Sequence, residues 1–112
     1  MLIQIVDDSP NMRETIKSVL GGLSAEFIES GDGIDAVKQF VTWMPDLVVM
    51  DIRMEQMDGI AAARAIRRQF PGARVVMVTQ YDDDDLRTAA RDAGAMGYIL
   101  KDDLSALRSF VS

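Results

Sequence analysis

The chain has 112 residues, 48% of them hydrophobic and 27% charged, which suits one globular domain with a core of its own. A formal net charge of −6 argues against nucleic acid or an anionic membrane held through a general electrostatic footprint. With neither Cys nor His, disulfides, Ser-His and Cys-His nucleophile pairs and thiolate or imidazole zinc sites are excluded, which leaves carboxylate chemistry and hard cations held by oxygen.

The first predicted strand runs over residues 2–6, through Leu2, Ile3, Ile5 and Val6, and stops at Asp7 and Asp8. Ser9-Pro10 then offers an N-cap with proline at the first helical position. Met12, Ile16, Val19 and Leu20 repeat at i, i+4, i+7 and i+8, the stripe of an amphipathic helix that Gly21-Gly22 closes. A second strand reads at 25–29, followed by a helix whose predicted inner stripe is Ile34, Val37, Phe40 and Val41. The third strand, 46–50, carries LVVM, a continuous apolar run that suits burial on both faces of a parallel sheet, and ends at Asp51. Ala62, Ala63, Ile66 and Phe70 define a third helix, with Arg64, Arg67 and Arg68 turned outward and Gly72 after it. The fourth strand, 73–78, is followed by Thr79. Leu86, Ala89, Ala90 and Ala93 make the fourth helix, ahead of Gly94. The fifth strand, 97–100, is followed by Lys101, and Leu104, Leu107 and Val111 make a fifth helix.

No leader, membrane-length apolar run, repeat or linker is legible, and a reducing cytoplasm is the expected location. Five βα units predict an α/β fold: a doubly wound, five-stranded parallel sheet with helices on both faces. Ligands in such sheets bind beyond the carboxyl ends of the strands, where the strand order reverses. In the order 2-1-3-4-5 that point lies between strands 1 and 3, so Asp7, Asp8 and Asp51 converge there. Thr79 and Lys101 end strands 4 and 5 on the same side. Each residue has an ordinary explanation when taken singly: a turn, a cap, a strand-end hydroxyl, a solvated lysine. Core packing gives no reason for all of them to gather at one end of one sheet.

The acidic pair in IVDDSP, the aspartate in LVVMDIRM, MDG at 57–59, the threonine in VVMVT and the lysine in GYILK together resemble the receiver domain of bacterial response regulators, over essentially the whole chain. The resemblance implies a flavodoxin-like fold with Asp51 as phosphoacceptor. It implies Mg²⁺ held by Asp7, Asp8, Asp51 and the backbone carbonyl of Arg53. Thr79 and Lys101 would contact the phosphoryl group, and Thr79 and Tyr98 would act as switch residues. The implied donor is a phosphohistidine on a sensor histidine kinase or a histidine phosphotransfer protein. The fourth helix, fifth strand and fifth helix would form the responsive face, with Arg87, Arg91, Asp92, Asp102 and Arg108 as its charges and a phosphorylation-dependent homodimer as one outcome.

Physical chemistry suits those roles. Three clustered carboxylates resist joint ionisation, and a divalent cation with Lys101 brings the site close to neutral. The charge of about −2 that a phosphate adds is what a bistable element would follow.

Several positions depart from the family pattern. Glu55 and Asp102 stand where proline is usual, and Gln80 where a small residue is usual. Arg53 and Tyr81 are bulky where phosphoryl lifetime is tuned. A lid is expected, with Arg53 paired to Glu55 or to the Asp82–Asp85 run. The run YDDDD reads first as a helix cap with acids at the positive end of the macrodipole, and second as a source of repulsion that loosens the fourth helix.

The KDD ending resembles the subfamily with a helix-turn-helix output. The chain is therefore expected to be one domain over 1–112, either a stand-alone receiver or cut from a longer regulator, with any DNA contact lying elsewhere. Two other readings are an aspartyl-phosphate-forming hydrolase and a pseudo-receiver that only binds partners. Against the first, Arg53 stands where a second acid would be needed. Against the second stands the intact acidic site.

Overall fold

In the computed structural model, which describes residues 1–111, β1 (Leu2–Val6), β2 (Glu26–Ser30), β3 (Leu47–Met50), β4 (Val75–Thr79) and β5 (Gly97–Leu100) pair in parallel in the order β2-β1-β3-β4-β5. The chain end at Ser112 lies outside the described residues. Every residue of β3 and β4 is buried, as expected for central strands covered on both faces.

Alternation along the strands separates two cores. Ile3, Ile5, Val49, Val76 and Val78 face Ile16 and Leu20 of α1 (Pro10–Val19) and its C-cap, together with Leu107 and Val111. Val6, Val48, Met50, Val75 and Met77 face the other way, onto α2 (Gly33–Trp43), α3 (Gly59–Gln69) and α4 (Asp84–Asp92). All four α-helices open on a side-chain cap: Ser9 to the Met12 N–H (3.2 Å), Asp32 to Asp35 (2.8 Å), Asp58 to Ala61 (2.8 Å) and Asp83 to Leu86 (2.9 Å). The cap reading of the YDDDD run is thus the one observed at Asp83, with Asp84 and Asp85 in the first turn.

Three expectations need correction. The inner line of α2 is Gly33, Ala36 and Phe40, while Ile34 and Val41 are 39% and 49% exposed. The cause is steric: a Cβ on Gly33 would lie 2.1 Å from the Met57 carbonyl oxygen, so the helix turns its smallest residues inward. Arg67 does not point to solvent, since its guanidinium donates to the carbonyls of Pro71 and Ala73 and closes the α3–β4 connection. The fifth helix is 3₁₀ in geometry over Lys101–Phe110 and is broken by non-helical backbone at Asp103 (φ −131°, ψ 45°). The eclipsed i, i+3 side chains of such a segment make it softer than an α-helix.

Candidate functional site

The parallel register sets Val6 beside Met50, so the next residues, Asp7 and Asp51, leave adjacent strands side by side. The Asp51 N–H donates to the Val6 carbonyl (2.8 Å), which ties the two exits together. One oxygen from each of Asp7, Asp8 and Asp51 falls within 4.8 Å of the others. The acidic pair at the strand mouth is split by environment: Asp7 is buried at 1% exposure, whereas Asp8 is exposed. Asp51 is buried too, at 6%.

Lys101 reaches in from the end of β5. Its Nζ lies 3.0 Å from Oδ2 of Asp7 and 3.5 Å from Oδ2 of Asp51. Burial opposes its charge, but the two carboxylates outweigh that and hold its pKa above the usual lysine value. Oδ1 of Asp51 accepts the Ile52 N–H (2.9 Å), and Oδ1 of Asp7 accepts the Ser9 N–H (2.9 Å). Oδ2 of Asp7 is buried, and the group that meets it is the Lys101 ammonium, as an ion pair at 3.0 Å.

Burial, reinforced by the charge of Asp7, pushes the Asp51 carboxyl up to about 6, with Lys101 opposing. An acid whose pKa is higher folded than unfolded binds its proton more tightly in the folded state. Ionising it therefore costs stability, and that cost develops as pH rises from about 4 to about 6. Without divalent cations, Asp51→Asn is expected to gain on the order of 1–3 kcal/mol at pH 7. The gain should shrink through that window and vanish below pH 4. Urea unfolding of both proteins in chelator across pH 4–7 checks this, and a pH-independent difference contradicts it.

Thr79 is fully buried, and its hydroxyl accepts the Tyr81 N–H (3.2 Å). Tyr98 donates its hydroxyl to the Tyr81 carbonyl (2.6 Å), with the Arg87 guanidinium 4.4 Å from its ring centroid. Burial raises the Tyr98 pKa, Arg87 opposes this, and Asp83 and Asp82 reinforce it. The expected charges of the responsive face are partly committed. Arg87 pairs with Asp82 (2.7 Å), and Arg108 donates to the Val19 carbonyl (2.8 Å) at the negative end of α1. The expected lid is not formed either. Among the described residues Arg53 has no acidic partner, and its guanidinium lies 5.4 Å from the Tyr81 ring centroid. Arg53, Gln80 and Tyr81 line a 390 Å³ cleft together with Asp7, Asp8, Asp51 and Lys101.

The MDG motif is explained by packing. Met57 backs onto Gly33, Asp58 caps α3, and Gly59 leaves space for the Asp51 carbonyl.

Sequence reasoning passed over Arg13, whose Nη1 donates to the Asp7 carbonyl (2.6 Å). The signal was present: a basic residue in the first turn of a helix that has no acid there, where the macrodipole disfavours it.

The response regulator receiver domain family model matches residues 3–112. An uncharacterized transcriptional regulatory protein of Bacillus subtilis, YxjL, is 33% identical over 104 residues, which are 91% of this chain and 48% of that protein. The chemotaxis protein CheY of the same organism is 38% identical over 100 residues, 88% of this chain and 83% of CheY. A LuxR-family two-component response regulator from Aurantimonas superposes with a TM-score of 0.91 at 31% identity, covering 96% of this chain and 79% of that one. CheY of Borrelia burgdorferi, solved as a complex with CheX, BeF₃ and Mg²⁺, gives 0.91 at 26% identity, covering 97% and 84%. The chain spans about half the length of the first of these curated relatives.

Proposed function

The chain belongs to the response regulator receiver family, and we propose that within it Asp51 accepts a phosphoryl group from a phosphohistidine on a sensor histidine kinase or phosphotransfer protein. The observation that carries this is the buried Asp51 carboxylate at the switch point, with the Lys101 ammonium 3.5 Å away and two further carboxylates within 4.8 Å. The Asp51 carboxylate attacks phosphorus, an acyl phosphate forms, the phosphorus–nitrogen bond breaks, and the neutral imidazole leaves with the electron pair. Lys101 lies beside the group being transferred and offsets its charge. Thr79 turns its hydroxyl from the Tyr81 amide toward the phosphoryl group. Tyr98 follows, and the β5–α4 side with the 3₁₀ segment becomes the surface that a partner or a second copy reads.

The donor set fits a hard divalent cation. It is all oxygen, it carries excess negative charge, and it includes the buried Oδ2 of Asp7 that lacks a hydrogen bond. Asp7, Asp8, Asp51 and the backbone carbonyl of Arg53 would hold Mg²⁺, which when bound neutralises charge that develops on the transferring phosphoryl oxygens. Asp8→Asn is accordingly expected to weaken Mg²⁺ binding by roughly tenfold or more, since it removes one charge from the set. Calorimetric titration reads this directly, and an unchanged constant argues against the site.

This reading extends over residues 1–112 as one receiver unit in a cytoplasmic protein. Among the described residues no helix is long and apolar enough to cross a membrane.

Arg53, Gln80 and Tyr81 bear on lifetime. Hydrolysis needs a water in line with the Asp51–phosphorus bond, and the Arg53–Tyr81 pair lines the cleft through which that water would enter. Autodephosphorylation is expected to be slow, and faster in an Arg53→Asn, Tyr81→Glu double variant. Phosphate release from purified phosphoprotein measures it, and a slower or equal rate in the variant refutes the crowding argument.

A further inference from the structure

We propose that Arg13 is a positioning residue of the metal site: its guanidinium fixes the main-chain carbonyl of Asp7, and through it the peptide that carries both Asp7 and Asp8. The inference rests on the reading of the acidic cluster as a cation site, and it concerns how that site is built. Asp7 has four polar groups. Its N–H donates to the Ser30 carbonyl (3.1 Å), its Oδ1 accepts from the Ser9 N–H (2.9 Å), and its carbonyl accepts from Arg13 (2.6 Å). Only Oδ2 is left without a hydrogen bond; it is buried and lies 3.0 Å from the Lys101 ammonium. Two of the three tethers are backbone groups, so among the described residues Arg13 is the side chain that holds the Asp7 main chain, while Lys101 meets its carboxylate at 3.0 Å.

The tether matters most for Asp8. Its exposed carboxylate has no hydrogen bond of its own among the described residues, so its direction depends on the peptide that joins it to Asp7. Arg13 is well suited to hold that peptide. Its Nε donates to Oε1 of Glu29 on β2 (2.9 Å), and Glu29 also takes Lys17 (3.1 Å). The guanidinium is thus gripped at both ends, its side chain is 19% exposed, and its fork bridges the first turn of α1 to the edge strand.

The sign of the effect separates positioning from simple charge. Arg13 brings a positive charge to the neighbourhood of a cation site. If that were all it did, removing it would lower the repulsion felt by an entering cation and tighten binding. Positioning requires the opposite.

The experiment is calorimetric titration of Mg²⁺, without a phosphodonor, into the wild-type chain, Arg13→Gln and Arg13→Lys, with thermal melts in chelator alongside. The expected result is Mg²⁺ binding about tenfold weaker in Arg13→Gln, the usual scale for groups that orient metal ligands. Arg13→Lys, which keeps the charge and one donor but not the fork, should fall in between. Tighter or unchanged binding in Arg13→Gln overturns the proposal, as do lowered melting temperatures with an unaltered constant. Should Arg13→Gln not fold, wild-type affinity in Arg13→Lys overturns it equally. Absence of Mg²⁺ binding by the wild-type chain removes the cation site itself, and this proposal with it.

Discussion

Asp51→Asn is expected to take up no phosphoryl group from a small phosphodonor or from a kinase, while the wild-type chain gains one per molecule in the presence of Mg²⁺. The amide has nearly the shape of the carboxyl, so the Ile52 N–H still finds its acceptor and the fold survives. The proposed nucleophile, however, is gone. No neighbouring carboxylate is placed to substitute for it. Asp7 has one oxygen held by Ser9 and the other facing Lys101, and Asp8 lies on the exposed side of the cleft. The loss should therefore exceed a hundredfold rather than appear as a slower rate, which corresponds to about 3 kcal/mol or more of transition-state stabilisation. Intact-mass measurement after exposure to the donor, with and without Mg²⁺, reads the result. Stoichiometric uptake by the variant would mean that the acceptor lies elsewhere.

The second large effect is structural and sits next to that residue. A Cβ on Gly59 would lie 1.9 Å from the Asp51 carbonyl oxygen, 2.8 Å from its carbonyl carbon and 2.9 Å from Cγ of Met50. Two of those neighbours are backbone, and they belong to the strand exit that carries the candidate acceptor. Nor can the helix back away, because the Gly59 N–H is bonded to the Ile52 carbonyl (2.8 Å). Gly59→Ala should cost on the order of 4 kcal/mol, at the severe end for a single substitution and a large part of the stability of a small domain. Gly72→Ala is the matched control, since a Cβ there meets nothing within 4 Å. Urea midpoints for the two variants decide the matter: a Gly59→Ala midpoint close to that of Gly72→Ala would show that the backbone can yield.

Much of this was legible from the residues. Given the order 2-1-3-4-5, the gathering of Asp7, Asp8, Asp51, Thr79 and Lys101 at one end follows from strands that each stop at a polar residue. The doubly wound topology sends every carboxyl end the same way. What escaped depended on side-chain direction and on the depth of each position. Asp7 and Asp8 are equivalent in a sequence, yet the last turn of strand geometry buries one and exposes the other. The α2 stripe was misjudged because a hydrophobic count weighs Ile34 and Val41 above Gly33 and Ala36, whereas close approach to Met57 rewards the smallest residues. The Arg53 lid rested on opposite charges being near in sequence, and aromatic contact with Tyr81 won instead. Arg67 and Arg108 looked like surface charge but satisfy carbonyls at chain turns, a use that only the folded path reveals.

The soft C-terminal segment has one further consequence. Asp7 and Asp51 leave β1 and β3, both interior strands of the sheet, whereas Lys101 is the first residue of the 3₁₀ segment. The negative and positive halves of the site are thus mounted on unlike parts of the molecule, interior strands and a broken 3₁₀ segment. In the language of hydrogen exchange, the amides of β1 and β3 are expected to exchange more slowly than those of residues 101–110. An opening of residues 101–110 would withdraw the ammonium and leave the carboxylates in place, and so would change the electrostatic balance around Asp51.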